Sequence, residues 1–327
     1  MTQPPLLDVR DLRVSFHTPD GIVEAVRSVS FQVDRGKTLG IVGESGSGKS
    51  VATQTVAGLT RGARVSGQAI FEGRDLLILS AAELRAIRGP GIAMIFQNPL
   101  TSLHPFYRIG WQIAEMIRAH ESVSAESARK RSIELLGHVG IPRPERRVDD
   151  YPHQFSGGML QRAMIAMALA LQPRLLIADE PTTALDVTVQ AQIMRLMRRL
   201  QTEFGMAIIL ITHDLGVIAG VADDVVVMYA GQVMEQATRH GLFRQPSHPY
   251  TAGLLGSLPR INSSEERLTA IAGQPPSLIH PPSGCPFHPR CPQVMDRCVS
   301  SMPAFMAVPG AQAHRSACWL LDPESTS

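Results

Sequence analysis

Gly43-Glu44-Ser45-Gly46-Ser47-Gly48-Lys49-Ser50 constrains this chain more than any other stretch, because it fits the phosphate-loop pattern G-x-x-x-x-G-K-[ST]. Glycines let such a loop curl until its backbone N–H groups converge on an anion. The helix that follows adds positive potential at its N-terminus. In this pattern Lys49 reaches the terminal phosphates of a nucleotide, and the Ser50 hydroxyl can coordinate Mg²⁺. The flanks agree, since Thr38–Val42 reads as a short apolar strand and Ser50–Leu59 as a helix. A flexible glycine turn is the plain alternative, and the strand–loop–helix context argues against it.

A chain of 327 residues, 44% hydrophobic and 18% charged, can bury a full core and is not a disordered composition. Lys+Arg 31 against Asp+Glu 29 leaves a formal charge of +2, without the basic excess expected of a nucleic-acid binder. Met1–Arg13 carries no basic flank followed by an apolar run, so no signal peptide is expected. The best apolar runs, Ala163–Leu171 and Ala207–Ile211, fall short of the roughly 18 residues a bilayer span needs. A soluble, cytoplasmic chain is the expectation, with any membrane role exercised through another subunit.

Alternation predicts strands over Asp8–Phe16 and Ser28–Val33, separated by the turn Thr18-Pro19-Asp20-Gly21. Gly67–Phe71 and Gly91–Phe96 read as further strands, and Asp224–Met228 with Gly231–Glu235 as a late hairpin. From Asn98 to about Leu171 the period becomes helical, clearest at Ile109–Ala119 and Ser124–Val139, with Asp149–Phe155 as a polar break. Leu175–Ala178 and Ala207–Ile211 are apolar strands with a helix over Val187–Thr202 between them. That alternation requires an α/β fold with a parallel sheet. Beyond Pro246 prolines cluster and periodicity fades, so a separate loop-rich appendage is expected. No internal repeat is present, which leaves one nucleotide domain.

The strand Leu175–Ala178 ends in Asp179-Glu180. Adjacent side chains at a strand end diverge, so Asp179 can serve the magnesium shell while Glu180 faces a water aimed at the γ-phosphate. About two dozen residues upstream stands Phe155-Ser156-Gly157-Gly158-Met159. It resembles the L-S-G-G-Q signature of ATP-binding cassette (ABC) ATPases, with Phe for Leu and Met for Gln. A hydroxyl and two glycines opening a helix form an anion seat, although alone they could be a plain helix cap. The resemblance extends over roughly residues 6–260. It implies that Ser156, Gly157 and Gly158 bind the γ-phosphate held by an opposite subunit. It further implies a glutamine at Gln97 that touches Mg²⁺ and water, a D-loop at Ala184-Leu185-Asp186, and a switch histidine at His213 holding the γ-phosphate. Phe16 sits where the family stacks an aromatic on adenine, though plain core packing also suits it. The implied fold is a P-loop ABC cassette over 1–245. It has a RecA-like parallel sheet core, an antiparallel β subdomain and an α-helical subdomain at about 98–171, plus a loop-rich C-terminal extension over 246–327.

Gly40–Ser50, Ala163–Leu171, Ile177–Gln192 and His248-Pro249-Tyr250 are similar to the oligopeptide/dipeptide and nickel importer subfamily. Met159 agrees with that subfamily, whereas Leu160 stands where many peptide-type members carry Arg. The resemblance implies ATP hydrolysis that powers import of di- or oligopeptides, with nickel or another small solute as the alternative. Implied partners are a second ATPase subunit (a copy or a paralogue), two transmembrane permease subunits and an external substrate-binding protein. The implied place is the cytoplasmic face of the membrane. An ABC ATPase acting on nucleic acid is a remote alternative, disfavoured by the single cassette, the compact helical segment and the balanced charge.

The four cysteines, Cys285, Cys291, Cys298 and Cys318, all lie in the tail. Four thiolates can complete a [4Fe–4S] cluster or a tetrahedral Zn²⁺ site, and reduced thiols without metal are the third reading. The missing C-x₂₋₄-C pair argues against zinc. Some subfamily members bind [4Fe–4S] at such cysteines, so the resemblance favours the cluster.

Overall fold

In the strand Leu7–Thr18 the apolar Leu7, Val9, Leu12 and Val14 are buried while Arg10, Asp11 and Arg13 are exposed, with the ladder shifting register between Val9 and Leu12. The computed structural model describes residues 4–183, 185–258 and 271–322. Ala184 of the expected D-loop and Pro259 of the proline cluster lie outside them. By contacts the chain divides into two compact units, Met1–Ile78 with Leu210–Ser327, and Leu79–Ile209. Among the described residues no helix is long and apolar enough to cross a membrane.

In the first unit the strand Leu7–Thr18 pairs antiparallel with Gly21–Val33 across the expected turn, where Thr18 Oγ1 donates to the Gly21 carbonyl at 2.7 Å. The second strand begins well before Ser28, because Gly21–Arg27 continues the ladder, with Ile22 and Glu24 exposed. Ala63–Phe71 pairs with the other edge of Leu7–Thr18 and carries Arg74–Asp75, completing the sheet. A second sheet in this unit runs in the order Met306–Ala307, Arg315–Ser316, Gln232–Thr238, Asp224–Tyr229, Thr38–Val42. The last two strands are parallel, and all of Thr38–Val42 is buried, as its unbroken apolar run requires. Its C-terminal end delivers the chain into Gly43.

The proline-rich stretch packs within this same unit. It forms the helix Pro249–Gly256, the short turn His288–Arg290, the helix Asp296–Ser300 and two brief strands, one of which pairs with Gln232–Thr238.

In the second unit Ile92–Ile95 runs parallel to Leu175–Asp179. The helices Ile109–Arg118, Ala125–His138, Gly157–Ala168 and Val187–Phe204 supply its apolar interior, including Ile109, Ile113, Ile117, Leu136 and Met164. Gly110 permits a close approach, since a Cβ there would sit 2.0 Å from Val148 Cγ2. Ala207–Thr212 carries the chain out of this unit into the first.

Candidate nucleotide site

The loop after Thr38–Val42 turns through two glycines that no other residue could replace without strain. Gly43 has φ +153° and an added Cβ would lie 2.1 Å from the Met228 carbonyl oxygen; Gly48 has φ +94° and would meet the Ala25 carbonyl at 2.3 Å. Gly48 is the N-cap of the helix Lys49–Val56, so the helix N-terminus opens onto the loop. Lys49 is 5% exposed, and its Nζ donates to the carbonyls of Gly43 (2.7 Å) and Glu44 (2.8 Å) and to Ser47 Oγ (3.2 Å). Those bonds hold the curl, while Ser45 and Gly46 form its exposed tip and Ser50 is half-buried.

Glu44 is fastened from elsewhere in the same unit. Its backbone N–H donates to Tyr250 Oη at 2.9 Å. Arg290 Nη1 and Nη2 donate to Glu44 Oε2 and Oε1 at 2.6 and 3.0 Å. Glu44 raises the Arg290 pKa above its ordinary value, with burial opposing it. Neither Tyr250 nor Arg290 was assigned a site role on sequence. Residue 290 is 246 positions from residue 44, and no local pattern reports such a pairing.

Also in the first unit, His213 follows Thr212 and is exposed, next to Asp214, which caps the helix Leu215–Val221 through the N–H of Gly216 at 2.7 Å. Phe16 is half-buried on its strand, opposite Val23 and Ala63.

In the second unit Asp179 is buried at the end of its strand, and Glu180 follows in the left-handed region at φ 46°. Such a conformation in a non-glycine residue is costly, and marks a position the surroundings hold in place. Gln97 Nε2 donates to Glu180 Oε2 at 2.9 Å and Thr183 Oγ1 donates to the same oxygen at 2.8 Å. Ser156 caps the helix Gly157–Ala168 by accepting from the Met159 N–H at 3.4 Å, with Ser156 and Gly157 exposed. Asp186 caps Val187–Phe204 by accepting from the Val189 N–H at 2.9 Å. Gly158 lies against Val189, where an added Cβ would be 3.0 Å from its Cγ1. Gly158 and Asp186 therefore meet at one valine.

The cysteine expectation is corrected. Cys285, Cys291, Cys298 and Cys318 line one small cavity with His248, His288 and Met295. Yet among the described residues no group of three or more His, Cys, Asp or Glu side chains is placed to hold a metal ion, so neither the [4Fe–4S] cluster nor the Zn²⁺ site stands. All four are free thiols. Burial pushes Cys285 up to about 12 and Cys318 up to about 11, and raises Cys291, so these groups stay protonated at neutral pH. They belong to the apolar packing of the tail.

Residues 26–183 match the ABC transporter family, and residues 234–298 match the C-terminal region of oligopeptide/dipeptide transporters. The oligopeptide transport ATP-binding protein OppD of Haemophilus influenzae is 53% identical, over 90% of this chain and 91% of its own length. The dipeptide transport ATP-binding protein DppD of Bacillus subtilis is 51% identical, over 97% and 95%. A dimeric ATP-binding cassette solved in a post-hydrolysis state with ADP and Pi superposes with TM-score 0.65 at 27% identity, over 71% of this chain and 98% of that one. The fold, the phosphate loop and this likeness along nearly the whole sequence agree: the chain belongs to the ABC transporter ATPases that carry the oligopeptide/dipeptide transporter C-terminal region.

Proposed function

We propose that this chain hydrolyses ATP to power import of oligopeptides or dipeptides, working peripherally at the cytoplasmic face of a membrane. Its cassette spans residues 1–245, with a helical part at about 98–171, and its extension spans 246–327. The carrying observation is the Glu180 carboxylate, held by Gln97 and Thr183 at the end of a buried strand in a chain whose relatives transport such peptides. In this reading Glu180 orients, and takes a proton from, the water that attacks the γ-phosphate. Lys49 and His213 neutralise charge on the transferred group, and Phe16 stacks on the base. Ser50, Asp179 and Gln97 offer oxygen donors, the set that suits Mg²⁺, which would neutralise charge on the β- and γ-phosphates. Ser156, Gly157, Gly158 and Asp186 serve the nucleotide held by a second ATPase subunit, so hydrolysis needs a pair.

Two permease subunits and an external binding protein complete the transporter. The exposed aromatic run after Gln97 supports a docking face for a permease: Phe106 is 81% exposed, and Tyr107 stacks on Trp111 with ring centroids 4.3 Å apart. The test is uptake into proteoliposomes holding the assembled transporter, supplied with labelled peptide or with nickel. ATP-dependent peptide accumulation is expected. Accumulation of nickel and not peptide would overturn the cargo assignment.

A further inference from the structure

Arg290 is built into the phosphate loop from the far end of the chain. Its side chain is 5% exposed, and each of its five N–H donors has an acceptor. Two meet the Glu44 carboxylate, one meets Tyr229 Oη at 3.2 Å, and two meet the carbonyls of Ile271 (3.3 Å) and Ala272 (2.8 Å). Tyr229, Tyr250 and Phe287 pack as a buried aromatic group beside it, with ring centroids 4.6 to 5.3 Å apart. Tyr250 holds the Glu44 N–H, and its own N–H rests on His248 Nδ1 at 3.0 Å.

Glu44 occupies the second position of a loop that must receive a polyanion. A bare carboxylate there would repel the phosphates, most strongly where water is excluded. A bidentate guanidinium cancels that charge and fixes the side chain in one geometry. We propose that Arg290 is a positioning residue for ATP: it neutralises Glu44 and, with Tyr250, braces the start of the phosphate loop, so that the C-terminal extension sets nucleotide affinity.

The proposal rests on nucleotide binding at Gly43–Ser50, and the test separates the two. Full-length wild type, Arg290→Gln and Glu44→Gln/Arg290→Gln are titrated with a fluorescent ATP analogue and Mg²⁺ at low and high salt. Arg290→Gln should weaken binding about tenfold at low salt, and this loss should shrink near 1 M salt as screening shortens the reach of the carboxylate. Removing both charges should recover most of the loss, which a merely structural arginine would not allow. Wild-type affinity in Arg290→Gln, or equal weakness in the double variant, would overturn the proposal. Should Arg290→Gln not fold, the double variant decides alone: affinity near wild type supports the proposal and a tenfold loss contradicts it. Failure of wild type to bind would instead remove the nucleotide reading itself.

Discussion

His314 Nε2 and Glu235 Oε1 lie 2.6 Å apart with side chains 1% and 0% exposed, joining the end of the extension to the strand Gln232–Thr238 across 79 positions. Glu235 also accepts from the backbone N–H groups of Ser247 (2.7 Å) and His248 (3.0 Å), so one buried carboxylate ties three segments. Replacing His314 with Ala removes one of that carboxylate's partners, and leaving a buried acceptor short of a hydrogen bond costs about 1–3 kcal/mol. Urea denaturation checks this, and a loss below about 1 kcal/mol would show that the pair does not hold the extension.

Burial lowers the pKa of His248 from 6.5 to about 3, and its neutral Nδ1 accepts from the Tyr250 N–H. The unfolded chain therefore binds a proton in the window between those values that the folded chain refuses. Stability is retained above about pH 6.5 and falls as pH drops through the window. Between pH 7.5 and 5.5 this group alone should remove about 1 kcal/mol. His248→Asn keeps an acceptor at the helix cap and loses the titration. Its stability should decline less over that interval; an identical decline in both proteins would rule out His248 as the source.

Gly43→Ala should abolish ATP binding. The new Cβ meets the Met228 carbonyl at 2.1 Å and the backbone is at φ +153°, so the loop cannot keep its path. Equilibrium binding reads the loss directly, and retained affinity would mean that the curl of the loop is dispensable.

Gln97→Ala removes the donor that meets Glu180 Oε2 at 2.9 Å and leaves the Thr183 hydroxyl in place. Turnover in the assembled transporter should fall about 10- to 100-fold, with ATP binding changed little, because a water-orienting group is displaced and the phosphate loop is not. An equal loss of binding would show that Gln97 acts chiefly through the nucleotide and its Mg²⁺ and not through Glu180.

Much of the architecture was legible because local pattern and tertiary role coincide. Thr38–Val42 is apolar throughout and wholly buried, and Ile109–Ala119 was expected as a helix where Ile109–Arg118 forms one. The helix Ala81–Ile87 went unread although Ser80-Ala81-Ala82-Glu83 carries a capping box, with the Glu83 N–H on Ser80 Oγ and Ser80 N–H on Glu83 Oε2. Its weakly apolar face gave periodicity little to register. Four cysteines confined to the tail, with the subfamily resemblance, suggested a metal. They do line one cavity, yet among the described residues no group is placed to hold an ion, because sequence position does not report how distant side chains meet in space. Glu44–Arg290 was out of reach for the same reason, since each residue looks like an ordinary exposed charge until the tail is folded back.

Glu180→Gln tests the proposed role of Glu180 in ATP hydrolysis most directly. ATP binding and turnover should be measured on the assembled transporter, wild type against variant. Binding within about threefold of wild type, with turnover lowered at least about 100-fold, is the expected result. Turnover at the wild-type rate would contradict the mechanism and send the search for the water-activating group elsewhere in the chain.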